Sequence, residues 1–209
     1  LCADEVICSF GRFGHWFASE RFGVVPDMIT FAKGVTSAYQ PLGGLAIRGP
    51  LVAEVYDSPM ATYMHGSTFG GHPVATAVAV ANMTAMRDEG LLDHVMVTEA
   101  DFADRLHNLA DHHRCLGEVR GAGFFYAVDL CADRDEGMAL SDSQEAGLQG
   151  GGLSGFIRQA RTTIRPDDRG YTGLSISPPL IADSEVIGDL VDRVDQILTR
   201  VDDWLDHND

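Results

Sequence analysis

Lys33 is the only lysine in a chain of 209 residues whose other side-chain cations are arginines. It follows the short apolar run Met28-Ile-Thr-Phe-Ala32 and precedes Gly34, so the pattern predicts a strand that leaves a buried sheet at a turn. An ammonium at such a place loses solvation and its pKa falls, which frees the neutral amine to attack a carbonyl. Schiff-base chemistry is the first expectation. Asp4 offers a matching acid. The run Leu1-Cys-Ala-Asp-Glu-Val-Ile7 reads as a second buried strand carrying two carboxylates, a costly setting for a charge without a task. A carboxylate there can keep a cofactor's ring nitrogen protonated so that the ring takes up electrons. The competing reading of Asp4 is a strand-end cap on the next turn.

Around these two residues lies an ordered series of motifs. It runs Asp4-Glu5-Val6, Gly11-Arg12-Phe13-Gly14, Pro26-Asp27, Ala32-Lys33-Gly34 and Pro41-Leu42-Gly43-Gly44. It continues with His65-Gly66-Ser67-Thr68, Gly71-His72-Pro73, Val119-Arg120-Gly121-Ala122-Gly123, Ile164-Arg165-Pro166 and Ser177-Pro178-Pro179-Leu180. In order and spacing the series resembles the class III aminotransferases among the fold type I pyridoxal-phosphate enzymes, over almost the whole chain. The resemblance implies an α/β fold: part of a mostly parallel-sheet, cofactor-binding large domain over 1–87, then a small α/β C-terminal domain over 88–209. It implies pyridoxal 5'-phosphate as cofactor, Lys33 as its covalent anchor and proton carrier, and Asp4 against the ring nitrogen. Val6 would pack on the ring face, and Thr68 would reach the phosphate of a neighbouring subunit, which requires a homodimer with shared sites. The substrates implied are small amines or ω-amino acids as donors and an oxo acid such as pyruvate as acceptor. Arg165 would meet the acceptor's carboxylate. An aminomutase or decarboxylase of the same family, or a non-catalytic scaffold, stays open, because all would share Asp4, Lys33 and Thr68.

The residues also carry readings of their own. Val6 lies two positions beyond Asp4 and so faces the same side of the strand. Arg165 ends the stretch 162–164 and precedes Pro166, so a strand end would project a planar fork suited to a carboxylate; the competing partner is a local acid, Asp167 or Asp168. Residues 9–24 read as a loop and short helix in which Arg12 is structural. A strand over 43–48 and a short helix over 51–56 lead to a loop over 63–71 that feeds an alanine-rich helix over 74–87, with Pro73 in its first turn. Free N–H groups at such a helix start suit phosphate. A second helical pattern covers 91–112 and ends at His112-His113, read as a solvated pair without a third ligand at metal spacing. Residues 118–130 alternate as a strand bent at Gly121 and Gly123. Residues 131–155 read as loop with a glycine run at 150–152, followed by a short helix remnant over 156–160, strands over 162–165 and 173–177, and an amphipathic closing helix over 184–205.

Composition bounds the rest. A formal charge of −16, from 31 acids against 15 basic residues, leaves no basic stripe to neutralise phosphates, so nucleic acid is not an expected partner. No apolar run approaches the length that spans a bilayer, and no membrane is expected. The four cysteines show no paired metal spacing and read as free thiols of a cytoplasmic protein. The chain opens inside a strand, without an initiator methionine, as a C-terminal half would. On that reading the 209 residues alone are expected to be inactive.

Overall fold

The computed structural model describes residues 1–57 and 64–208. The chain divides into two compact units, Leu1–Val95 and Met96–Asp209, with the division falling inside one helix, a few residues past the expected position near Arg87.

The first unit is built on a three-stranded sheet of order β1-β2-β3, comprising β1 (Cys2–Asp4), β2 (Met28–Phe31) and β3 (Gly44–Ile47). β1 and β2 run parallel with Asp4 opposite Thr30, and β3 returns antiparallel with Phe31 opposite Gly44. Gly44 has to lack a side chain, because a Cβ there would enter the Phe31 ring. Phe31 in turn packs with Phe10 and Phe17 at centroid separations of 5.7 and 6.3 Å, a small aromatic core beside the sheet. The strands are less buried than their apolar sequences predict. β2 is half-buried throughout, and Leu45 and Ile47 of β3 remain 44% and 39% exposed.

β1 is also shorter than the run Leu1–Ile7 predicts, and the reason is Glu5. Its buried carboxylate accepts the N–H groups of Ala18 at 2.5 Å and Ser19 at 2.9 Å, at the start of the four-residue helix α1 (Ala18–Arg21). Its carbonyl accepts the Ser9 hydroxyl at 2.6 Å and the Ser9 N–H at 3.1 Å, so the chain turns from Val6 onward. Arg12 is half-buried in this turn, and that burial lowers its pKa. α2 (Gly49–Tyr56) follows β3, and α3 (Pro73–Asp88) starts with Pro73 behind His72, whose Nδ1 accepts the Val74 N–H at 3.2 Å. Residue 63, where the expected loop begins, lies outside the described residues.

α4 (Leu91–Asn108) carries the chain into the second unit, and a 3₁₀ turn (Leu109–Asp111) ends it. Four antiparallel strands form the sheet β4-β5-β7-β6, comprising β4 (Leu116–Ala122), β5 (Phe125–Leu130), β6 (Arg165–Asp167) and β7 (Gly173–Ile176). Gly123, at φ 56°, sits in the two-residue turn between β4 and β5, whereas the register shift in that pair lies between Leu116 and Glu118. Residues 131–155 are not all loop. α5 (Asp142–Gly147) begins at a capping box between Ser141 and Gln144 and is followed, across a kink at Gly151, by α6 (Leu153–Gln159). Two glycines here have structural reasons: a Cβ on Gly147 would press on the Trp204 indole, and Gly151, in the run over 150–152, sits at φ 129° in the kink. β6 lies at Arg165–Asp167, slightly beyond the expected strand over 162–165.

The closing helix α7 (Ser184–Leu205) is capped by Asp183, which accepts the N–H groups of Glu185 and Val186 at 3.1 and 2.9 Å. Its apolar stripe Ile187, Val191, Val194, Ile197-Leu198, Val201 and Leu205 is buried. His113 corrects the reading of a solvated pair. It is 5% exposed, with Nδ1 2.8 Å from Asp202 and Nε2 3.0 Å from Asp195, because the 3₁₀ turn directs it inward against two acids one helical heptad apart on α7.

Candidate active site

Asp4 and Lys33 stand at the carboxyl ends of the two parallel strands. β1 ends on Asp4, whose register partner is Thr30 on β2, and Lys33 follows β2 after Phe31 and Ala32. The carboxyl edge of parallel strands is where open α/β sheets bind ligands. Asp4 is fixed by one oxygen only: Oδ1 accepts the Val6 N–H at 3.1 Å and the Thr30 hydroxyl at 3.2 Å. Oδ2 has no hydrogen-bond partner among the described residues. The carboxylate thus both caps its turn and keeps one oxygen available for a ring N–H.

Lys33 opens a 3₁₀ turn (Lys33–Thr36) at φ 42°, and Ser37 and Ala38 behind it have φ of 49° and 61°. Left-handed backbone at three non-glycine residues is costly and is held only where the surroundings enforce it. Two contacts do so here. Gly34 lies against the turn after β1, where a Cβ would stand 3.0 Å from Phe10 Cβ and 3.2 Å from the Ser9 carbonyl oxygen. From α3, Asn82 Nδ2 donates to the Gly34 and Val35 carbonyls at 2.9 and 3.2 Å. The Lys33 side chain itself is exposed, in contrast to the buried setting expected of it. The sheet beneath it is half-buried, so this chain does not enclose the amine.

Asn82 was missed in the sequence, although a signal was present. Ala75, Ala79, Asn82 and Met86 follow helical spacing, the flanking three are buried, and one amide stands in an otherwise apolar stripe. Val6 is half-buried in the turn after β1, so the alternation of a strand does not govern its direction. Thr68 lies in the exposed turn before α3, where the Gly70 N–H donates to the Ser67 carbonyl at 2.9 Å and Gly71 takes φ 69°.

Arg165, in the second unit, opens β6 opposite Ser175 and is exposed. Neither Asp167 nor Asp168 is its ion-pair partner among the described residues. Asp167 is engaged by Arg169, with Nε 2.9 Å from Oδ1 and a terminal nitrogen 2.6 Å from Oδ2, and that guanidinium draws its carboxyl down to about 2. Arg120, in the glycine-rich motif of β4, is likewise committed: it grips Asp129 at 3.1 and 2.9 Å and lies 4.5 Å from the centroid of the Tyr171 ring. Among the described residues no group of three or more metal-ligating side chains converges, and no helix is long and apolar enough to cross a membrane.

The donor set fits pyridoxal phosphate: an exposed primary amine on an enforced turn, and a carboxylate with a spare oxygen at the end of the neighbouring strand. Comparison with known proteins agrees. The family described as Aminotransferase class-III matches residues 1–198. A probable aminotransferase of Mycobacterium tuberculosis is 41% identical over 182 residues, covering 87% of this chain and 38% of that protein. The putrescine–pyruvate aminotransferase of Pseudomonas aeruginosa is 38% identical over 190 residues, covering 90% of this chain and 40% of that protein. The taurine:2-oxoglutarate aminotransferase of Bifidobacterium kashiwanohense, solved in complex with PLP and glutamate, superposes with a TM-score of 0.85 at 30% identity, over 98% of this chain and 44% of the other. The chain thus spans less than half the length of each of these relatives.

Proposed function

The chain belongs to the class III aminotransferases, a pyridoxal-phosphate-dependent family of fold type I, and from that membership we propose that it carries the lysine and acid of a transaminase acting between a small amine or ω-amino acid and an oxo acid such as pyruvate. One observation carries the reading: the amine of Lys33 and the half-satisfied carboxylate of Asp4 close adjacent parallel strands. When bound, the cofactor supplies an aldehyde carbon for the amine and a ring that accepts electron density as a substrate carbon loses its proton. Asp4 Oδ2 would accept the ring N–H and hold that proton in place, while Thr30 and the Val6 N–H orient the carboxylate through Oδ1. Val6, on the same turn, packs against the ring. Lys33 Nζ would hold the cofactor through its aldehyde carbon, and as a free amine it would be the group that carries a proton between the substrate carbon bearing the amine and the cofactor. Arg165 pairs with the carboxylate of the oxo acid.

The exposure of Thr68 supports a role toward the cofactor phosphate of a second copy, in a homodimer. A holoenzyme that sediments as a monomer at assay concentration removes that part of the reading. Lys33 and Asp4 are both open to solvent in this polypeptide, so by itself it should not sustain turnover. The deciding experiment is Lys33→Ala in the intact protein. It should abolish amino transfer and the borohydride-reducible link while some non-covalent cofactor binding survives. Turnover within tenfold of the parent would end the assignment of Lys33. An aminomutase or decarboxylase would run without consuming an oxo acid, so stoichiometric loss of pyruvate separates those activities from transamination.

A further inference from the structure

β6 carries Arg165 and Asp167 two positions apart, on one face of the strand by its alternation. Asp167 is 3% exposed, and a carboxylate so buried needs a cation. Arg165 is the cation two residues away on the same short strand, yet no ion pair joins them among the described residues. Arg169 takes that place. Reaching back from the connection between β6 and β7, it holds Asp167 with both prongs of its fork, at 2.9 and 2.6 Å, and its own N–H donates to Oδ1 at 3.2 Å. Parallel two-pronged pairing is the strongest form an arginine and a carboxylate can take, so Asp167 has little to gain from a second guanidinium. Arg169 remains 61% exposed, which leaves room for the exchange of partners that its removal would allow.

We infer that Arg169 is a positioning residue for the acceptor site: by occupying Asp167 it keeps that carboxylate from capturing Arg165, so the Arg165 guanidinium stays free for the carboxylate of an oxo acid. The inference rests on the proposed pairing of Arg165 with substrate, and its test separates the two. In the intact holoenzyme, pyruvate kinetics are measured together with binding of propionate, an unreactive monocarboxylate, by calorimetry. Arg165→Ala reports on the underlying reading alone; an unchanged pyruvate KM there removes Arg165 from the site, and the inference with it. If that variant does raise KM, Arg169→Ala should raise pyruvate KM and propionate Kd about tenfold with kcat nearly unchanged, equivalent to about 1.4 kcal/mol. Asp167→Asn with Arg169→Ala should then return both constants to within about twofold of the parent, because the competing carboxylate is gone.

A turn-stabilising role alone would make the double variant no better than the single one, and that result overturns the inference. So does an unchanged KM in Arg169→Ala. If Arg169→Ala does not yield folded protein, Arg169→Lys, which keeps the charge but loses the fork, should raise KM in the same direction by a smaller factor; no change there is equally decisive.

Discussion

At the end of β1, two neighbouring acids have opposite duties. Glu5 is buried and spends both oxygens on backbone N–H groups at the start of α1, while Asp4 is exposed and keeps one oxygen unengaged. Removing charge from each should therefore show in different measurements. Asp4→Asn keeps the turn, since an amide oxygen can still accept from Val6 and Thr30, but cannot hold a ring nitrogen protonated. Single-turnover proton transfer should slow by orders of magnitude with the melting temperature almost unchanged. Glu5→Gln replaces one acceptor by a donor facing an N–H, a loss on the order of 2 kcal/mol, and should lower the melting temperature by several degrees with the cofactor's absorbance retained. Equal proton-transfer rates in Asp4→Asn and the parent would reduce Asp4 to a cap. The sequence showed that two acids stood in an apolar run, and chain order singled out Asp4. It could not show that Glu5 ends the strand, because its partners lie 13 and 14 residues away. For Lys33 the position was legible and the exposure was not: its left-handed φ depends on Gly34 fitting against Phe10 and on Asn82 reaching across from α3.

Among the elements, α7 shows what periodicity reveals and what it hides. Its bounds and apolar stripe follow from helical spacing, but the duty of two of its acids does not. Asp195 and Asp202 present carboxylates to both nitrogens of His113, an arrangement satisfied only when both carry protons. The bond to Asp202 is the main cause that raises the His113 pKa, against the burial that lowers it. Beyond Asp202 the Cys115 backbone N–H donates at 2.9 Å to its other oxygen, and burial pushes the Cys115 thiol pKa upward, so no second titration near neutral pH is expected from that thiol. For a histidine with a raised folded pKa, the stabilisation is fully present below its unfolded pKa of about 6.5 and is lost as pH rises through the folded value. Hydrogen exchange along α7 should therefore quicken as pH rises through that window, after correction for the intrinsic pH dependence of exchange. His113→Gln should remove the pH dependence and lower protection at pH 6. An α7 whose corrected protection is flat in the parent over this range would show that the pair does not couple to the fold. The capping box at Ser141 was similarly legible in principle, as Ser-x-x-Gln, but the glycine run masked it. Gly147, just before that run, makes room for the Trp204 ring, and Gly151 within it holds a kink at φ 129°, relationships that no local pattern encodes.

On the scale of the whole molecule, the two units differ in how completely they bury their apolar side chains. The largest fully buried side chains, among them Phe102, Leu106, Leu116, Phe124, Leu174, Ile176, Ile197 and Leu198, all belong to Met96–Asp209. In Leu1–Val95 the buried apolar set is smaller and richer in alanine, and Val25, Tyr39, Phe69, Leu45 and Ile47 are exposed. Burial of apolar area is the dominant favourable contribution to folding, so local opening should cost less in the unit that holds Lys33 and Asp4. The 209-residue polypeptide, treated with a low dose of thermolysin, should therefore be cut first at sites before residue 96, leaving a resistant C-terminal product. Pyridoxal phosphate at about a hundred times its dissociation constant should slow those first cuts by up to about a hundredfold where cleavage follows opening, equivalent to about 2.7 kcal/mol, and should not change the rate of later cuts within 96–209. The selectivity is the informative part: protection confined to the first unit matches a cofactor held by Lys33 and Asp4 there. Initial cleavage within 96–209 would contradict the ranking of the two units. Protection of both to the same degree would mean that the polypeptide opens as one cooperative body.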